Sequence, residues 1–324
     1  MEISLKSLLE ALSAPHRYVE IHFEESFPTL ISYAGADLDS ISQSGFCAGN
    51  IRFFEKGSWA FYSFNHNDFN KIKKEAQKIL SVLSFVPTQS AFLKSSQTMN
   101  DKVILTPLKD PQKMSLEEKN NLILNYNHIL RKESRITTTK ATYKDVLRKI
   151  HFANSEGSYV YQEKTFTGFS LYTMAKEGAN VQQAFFSNAG YGGLEWVQNY
   201  EQEAENIVKT ALDLLKAKSI EKGKYPVILD NRIAGVFAHE AFGHLSEADH
   251  LYENPDLLNM MQKGKVFGSP QLNIIDDGSL PNTAGYTPYD DEGVKGRRNH
   301  LIKDGKLEGR LHNRETAAKM QEEL

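Results

Sequence analysis

The sequence predicts an α+β chain built as two successive antiparallel-strand-plus-helix units, the second leading into a helix that carries a His-Glu motif. Three observations predict it. At 324 residues the chain exceeds what one hydrophobic core comfortably serves, so two compact units are expected. Stretches such as Tyr18-Val-Glu-Ile-His-Phe-Glu alternate apolar with polar residues, the period of a half-buried strand. Each run of such stretches ends in a segment whose apolar residues recur at helical spacing.

Taken in order, Leu5, Leu8, Leu9 and Leu12 mark a short amphipathic helix. Strands are expected over residues 18–24, 29–33, 40–42, 48–54 and 58–64, with Gly57 turning the last hairpin. Asn67 or Asp68 can cap a helix running through Ile72, Ala76, Ile79, Leu80 and Leu83. Residues 1–84 therefore form the first unit. Residues 85–114 hold prolines and polar clusters without a period and read as a surface connector. Ser115-Leu-Glu-Glu matches a capping box for a helix through Leu130, opening the second unit, 115–324. Strands follow over 146–154, 158–166, 169–176 and 179–186, then a helix from Glu201 to Lys216. Tyr225-Pro-Val-Ile-Leu-Asp reads as a short buried strand. Asp304-Gly305 signals a type I′ hairpin, and a last amphipathic helix starts near Arg314 and runs to the end. The repeated order of strands, a Lys-Gly or Glu-Gly turn and a helix also fits a distant duplication, or simply a common α+β solution.

Composition excludes several functions. Lys and Arg number 38 against 41 Asp and Glu, a net charge of −3, so nothing is left over to grip a phosphate backbone and nucleic-acid binding is not expected. No segment reaches the roughly 18–20 apolar residues of a membrane span. The N-terminus lacks the basic start and apolar core of a secretory signal. Cys47 is the single cysteine, which excludes an intramolecular disulfide and any metal site needing two cysteines. A cytoplasmic chain is expected.

The chemistry-bearing piece is Ala234-Gly-Val-Phe-Ala-His-Glu-Ala-Phe-Gly-His-Leu-Ser-Glu-Ala-Asp. Neutral imidazoles bind zinc, and an adjacent carboxylate can activate a water, so His239, Glu240 and His244 form a candidate site. The spacing is awkward. Four residues advance a helix by about 40° past one turn and five by about 140°, so on an ideal helix the two imidazoles diverge. A widened turn near Gly243, such as a π-bulge, brings them together. The other reading of the same residues is a core helix, with Val236, Phe237, Phe242 and Leu245 as its apolar face.

The motif resembles the signature of the TldD/PmbA family of zinc metallopeptidases, which carries His-Glu-x-x-x-His. Asn154-Ser-Glu-Gly, Gly190-Tyr-Gly-Gly-Leu-Glu, Asp276-Asp, Tyr289-Asp-Asp-Glu-Gly-Val and Leu311-His-Asn-Arg-Glu-Thr-Ala agree with it in order, so the resemblance spans nearly the whole chain. It implies a cytoplasmic peptidase acting on unfolded or extended peptides, working as a homodimer or as a heterodimer with a family paralogue. His239 and His244 would bind Zn2+, and Glu240 would be the general base on a zinc-bound water. An extended substrate suits addition to a sheet edge.

One part of the family pattern breaks. The resemblance calls for a cysteine ligand downstream of the second histidine, and no cysteine follows His244. Cys47 reads as small apolar core filler. Glu247 reads as a partner of a histidine or a surface residue, with direct ligation as the alternative. The chain is expected to lack the C-terminal part that carries the third ligand. The rival reading is accordingly a non-catalytic peptide-binding or assembly subunit. Tyr289-Asp-Asp-Glu-Gly reads as a solvated turn or a cation site, and Lys295, Arg297 and Arg298 as surface charge or a seat for a substrate carboxylate. The glycines of Gly190-Tyr-Gly-Gly serve backbone geometry.

Overall fold

The computed structural model describes residues 1–83, 85, 86, 88 and 91–324. The boundary expected at residue 84 lies outside the described residues. Helix α1 (Glu2–Leu12) is followed by β1 (Arg17–Ala34), β2 (Asp37–Gln43), β3 (Phe46–Glu55), β4 (Ser58–Phe64) and α2 (Phe69–Leu83). Next come β5 (Asn100–Ile104), α3 (Leu116–Leu130), β6 (Ile136–Asn154), β7 (Tyr159–Glu177), β8 (Asn180–Tyr191) and α4 (Glu201–Leu214). The mixture of antiparallel strands and helices is the α+β class expected.

Both units share one eight-stranded sheet, ordered β4-β3-β1-β6-β7-β5, with β2 also on β1 and β8 also on β7. The join is the antiparallel pairing of β1 with β6, from Glu20 opposite Asn154 to Ala34 opposite Lys140. Strand alternation sends odd-numbered residues of β1, β6 and β7 to one face. Val19, Ile21, Phe23 and Ala153 meet α1 and α2 there, while Ile31, Tyr33, Tyr143, Phe169 and Leu171 meet α3 and α4. Two cores thus lie side by side on the same face. On the opposite face Phe152 and Val160 are covered by Tyr289.

Several expected strands merge, for local reasons. Residues 18–24 and 29–33 belong to one strand although Pro28 lies between them. β1 pairs with β3 up to Ser26 and with β2 from Thr29, so the proline falls where that edge changes partner. There its missing N–H costs no ladder bond, and its carbonyl still accepts from Ser44 N. Residues 158–166 and 169–176 likewise form β7, where Gly168 permits a close approach. A Cβ on it would sit 2.5 Å from Ala189 Cβ. The connector contributes a strand of its own, β5, parallel to β7.

Local signals behave as expected. Asp68 Oδ1 accepts from Asn70 N and Lys71 N at 3.1 Å at the start of α2, and the capping box of Ser115 and Glu118 starts α3. The remaining elements are α5 (Asn231–Ala238), α6 (Ala248–Tyr252), α7 (Pro255–Met260), β9 (Ile274–Asp277), β10 (Arg298–Lys303), β11 (Lys306–Leu307) and α8 (Arg314–Met320). Strands β9 to β11 form a small sheet around Leu251, Met261, Ile302 and Leu307. The β10–β11 hairpin turns at Asp304 and Gly305, both with positive φ, as a type I′ turn demands.

Two expectations are corrected. Residues 225–230 are not a buried strand: they pair with no strand among the described residues, and Ile228 is 100% exposed. An apolar run becomes a strand only when a neighbouring strand accepts its hydrogen bonds. The last helix does not continue to Leu324; α8 ends at Met320, with Gln321 in the left-handed conformation (φ 56°). Among the described residues no helix is long and apolar enough to cross a membrane.

Candidate metal centre

The motif begins where Asp230 accepts a hydrogen bond from Ile233 N at 2.8 Å and so caps α5. After Ala238 the helix widens: residues His239–Gly243 form a π turn, and His244 N donates to the carbonyl of His239, five residues back. The extra residue per turn cancels the divergence that an α-helix would impose on a five-residue spacing. The imidazole ring centres lie 4.4 Å apart, at 70°. One ligand atom each from His239, Glu240 and His244 falls within 4.8 Å of the others.

Gly243 does not supply the unusual backbone expected of it. Its φ of −56° and ψ of −65° are right-handed. A Cβ there would lie 3.6 Å from His239 Nδ1, an ordinary contact, so the π hydrogen bond makes the turn and the glycine merely leaves room beside the ring.

The core-helix reading fails on exposure. His239, Glu240 and His244 are all exposed, as are Val236 and Phe237. Only Phe242 turns inward, edge-on to Phe267 with ring centres 5.3 Å apart, and it anchors the turn on the small core.

Beyond His244, a single 3-10 turn (His244–Ser246) ends at Glu247, whose backbone is extended (φ −68°, ψ 116°). Glu247 Oε1 lies 2.8 Å from His244 Nδ1, and its Oε2 lies 3.2 Å from His250 Nε2. Glu247, Asp249 and His250 make a second group with ligand atoms within 4.8 Å. Asp276, on β9, also feels the site: loss of solvent and the charge of Asp277 push its carboxyl upward, while His239 draws it down.

The other candidates have structural work. Asp290 Oδ1 accepts from Glu292 N and Val294 N, Glu292 bonds Arg52 and Arg314 N, and Tyr289 donates to Asp101. The acidic turn is therefore a knot between the sheet and α8. Arg298 pairs with Asp277 at 2.7 Å and Arg297 donates to Asn299. A Cβ on Gly190 would strike Trp196, and one on Gly193 the carbonyl of Lys109. Cys47 packs against the N-terminal core.

Two imidazoles and a carboxylate thus converge on an exposed widened turn. The chain belongs to the PmbA/TldD metallopeptidase family. Residues 109–218 match the PmbA/TldA metallopeptidase central domain and residues 222–324 its C-terminal domain. A metalloprotease of Synechocystis is 34% identical over 328 aligned residues, covering 99% of this chain and 70% of the relative. A protein of Saccharolobus solfataricus named zinc metalloprotease TldD homolog is 30% identical, over 61% of this chain and 45% of its own. The fold matches that of TldE from Thermococcus kodakarensis with a TM-score of 0.75 at 17% identity, over 99% of this chain and 72% of the other.

Proposed function

We propose that the chain houses the site of a zinc-dependent peptidase acting on unfolded or extended peptides. The observation that carries this is the π turn, which converts an unfavourable spacing into converging imidazoles. The donor set fits zinc: two nitrogens and a neighbouring carboxylate on an exposed surface that leaves room for water and substrate. His239 and His244 would hold the ion, which when bound supplies a Lewis acid that polarises a carbonyl and acidifies water. Glu240, adjacent to the first ligand, takes the proton of the attacking water and delivers it to the leaving amine.

The substrate docks as an extended strand. β8 has β7 as its one strand partner among the described residues, leaving an outer edge for backbone hydrogen bonds with loose sequence preference. N-methylating the backbone amides of a good substrate is expected to weaken its binding; unchanged binding rejects this mode. Assembly as a homodimer or with a paralogue is supported by Val227, Ile228, Ile233, Val236 and Phe237, exposed in succession along one segment. Sedimentation of the chain alone at micromolar concentration tests the homodimer, which a strictly monomeric chain rejects.

The decisive variant is Glu240→Gln, expected to abolish peptide hydrolysis while metal content stays unchanged. Equal activity in that variant sinks the mechanism. One observation favours a second reading, a non-catalytic peptide-binding or assembly subunit: the converging group offers two imidazoles, whereas catalytic zinc sites generally have three protein ligands. Metal bound at the histidines without any peptidase activity would establish that alternative.

A further inference from the structure

Glu247 sits at a fixed point of the backbone. Its neighbours Ser246 and Ala248 are fully buried. Leu311 N donates to Ser246 O at 2.8 Å and Ala248 N donates to Leu311 O at 2.9 Å, clamping residue 247 between them as an isolated bridge to Leu311. From this clamp the side chain reaches outward, about a third exposed, between two imidazoles.

Its contact with the His244 ring has one donor arrangement when the carboxylate is ionised. An ionised carboxylate accepts and cannot donate, so the proton in the 2.8 Å contact lies on His244 Nδ1. A neutral imidazole carries one N–H, which leaves the lone pair of His244 on Nε2. The second oxygen lies 3.2 Å from His250 Nε2, so His250 flanks the carboxylate on its other side.

We infer that Glu247 is a positioning residue for the metal centre: it selects the Nδ1–H tautomer of His244, which would leave Nε2 free for an ion, and it has His250 beside its other oxygen. The inference rests on the peptidase reading for its purpose, although the tautomer it predicts belongs to the metal-free chain. Carboxylates behind ligating histidines are a general means of fixing ring orientation, and their loss costs about 10–100-fold in metal affinity.

The test uses the full chain labelled with 15N-histidine. Two-bond proton–nitrogen correlations on the metal-free protein report the His244 tautomer, and competition with a chromogenic chelator reports zinc affinity. In the unaltered chain His244 is expected as the Nδ1–H form. Glu247→Ala is expected to mix the tautomers and weaken zinc by about 10–100-fold. Glu247→Gln, whose amide oxygen can still accept from Nδ1, is expected to restore most of both and keeps the test usable if the alanine variant folds poorly. His250→Ala is expected to give a smaller loss of the same kind. An unchanged tautomer in Glu247→Ala overturns the inference even if the chain is an active zinc peptidase. Zinc loss with an unchanged tautomer overturns it as well, since Glu247 would then be a ligand. Failure of the peptidase reading is recognised separately, by zinc that stays bound when His239 and His244 are both replaced by alanine.

Discussion

Lys119 Nζ lies 2.6 Å from Asp145 Oδ2, and neither side chain has any solvent exposure. The pair sits between the two cores, where the odd-numbered face of the sheet passes from α1 and α2 to α3 and α4. Tyr143 Oη donates to the same carboxylate oxygen at 2.7 Å and Gln112 to the other at 3.0 Å. Thr29 Oγ1 lies 3.3 Å from the ammonium. Breaking one side leaves a buried charge without its partner, so Lys119→Met and Asp145→Asn should each cost about 3–5 kcal/mol. The double variant should lose clearly less than the sum, because the two act as one unit. Urea titrations of the three variants measure this; additive losses would show that the charges do not recognise each other.

Gly243→Ala tests what makes the widened turn. The position has right-handed dihedrals, and the added methyl meets His239 at ordinary contact distance. The substitution should therefore raise stability by about 0.4–1 kcal/mol through the unfolded state and leave metal affinity within a few-fold. A collapse of metal binding would mean that the glycine, and not the five-residue hydrogen bond, sustains the turn.

Two groups couple stability to acid with opposite signs. Burial lowers His151 to about 4; its Nδ1 lies 2.8 Å from Tyr159 Oη. The unfolded chain then binds the extra proton first, so this contribution is complete above the usual imidazole value of 6.5 and lost as pH falls towards 4. Asp290 is raised to about 6, mainly by desolvation. For it the folded state holds the proton longer, so stability falls as pH rises from 3.8 to 6. His151→Gln should flatten the acid limb of a urea-midpoint profile. Asp290→Asn keeps the oxygen that accepts from Glu292 N and Val294 N, so it should stabilise at pH 7 and change little near pH 4. Parallel profiles for both variants and the parent would refute the assignment.

Residues whose neighbours in the chain decide their conformation were legible. The Ser115 capping box, the Asp304-Gly305 turn and the leucine stripe of α1 each depend on contacts a few positions away. The β1–β6 pairing was not, because it joins residues more than a hundred positions apart and no local pattern specifies which strand lies beside which. Pro28 and Gly168 fall between expected strands yet lie inside unbroken ones, because their roles depend on where a neighbouring strand ends and how closely another approaches. At the site, the His-Glu-x-x-x-His spacing already required a widened turn. Its exposure, and the carboxylate that bridges His244 to His250, depended on where Leu311 pins the chain, which the motif itself does not encode.

Arg314 offers the last test, of how α8 is tied to the sheet. Its side chain is 1% exposed. Nε donates to Lys94 O at 2.8 Å and Nη2 to Glu156 Oε1 at 2.7 Å, and the guanidinium lies 4.6 Å from the centre of the Tyr18 ring. A planar fork serves these three partners at once, whereas a lysine ammonium is a single point and reaches one or two. Arg314→Lys should therefore cost about 2–3 kcal/mol, even though the charge is kept and Nη1 itself has no hydrogen-bond partner. Hydrogen exchange over Arg314–Met320 should speed up in the same variant, because the cap from Asn313 remains but the anchor to the sheet is loosened. Stability and exchange both equal to the parent would mean that positive charge alone, and not the fork, holds the helix in place.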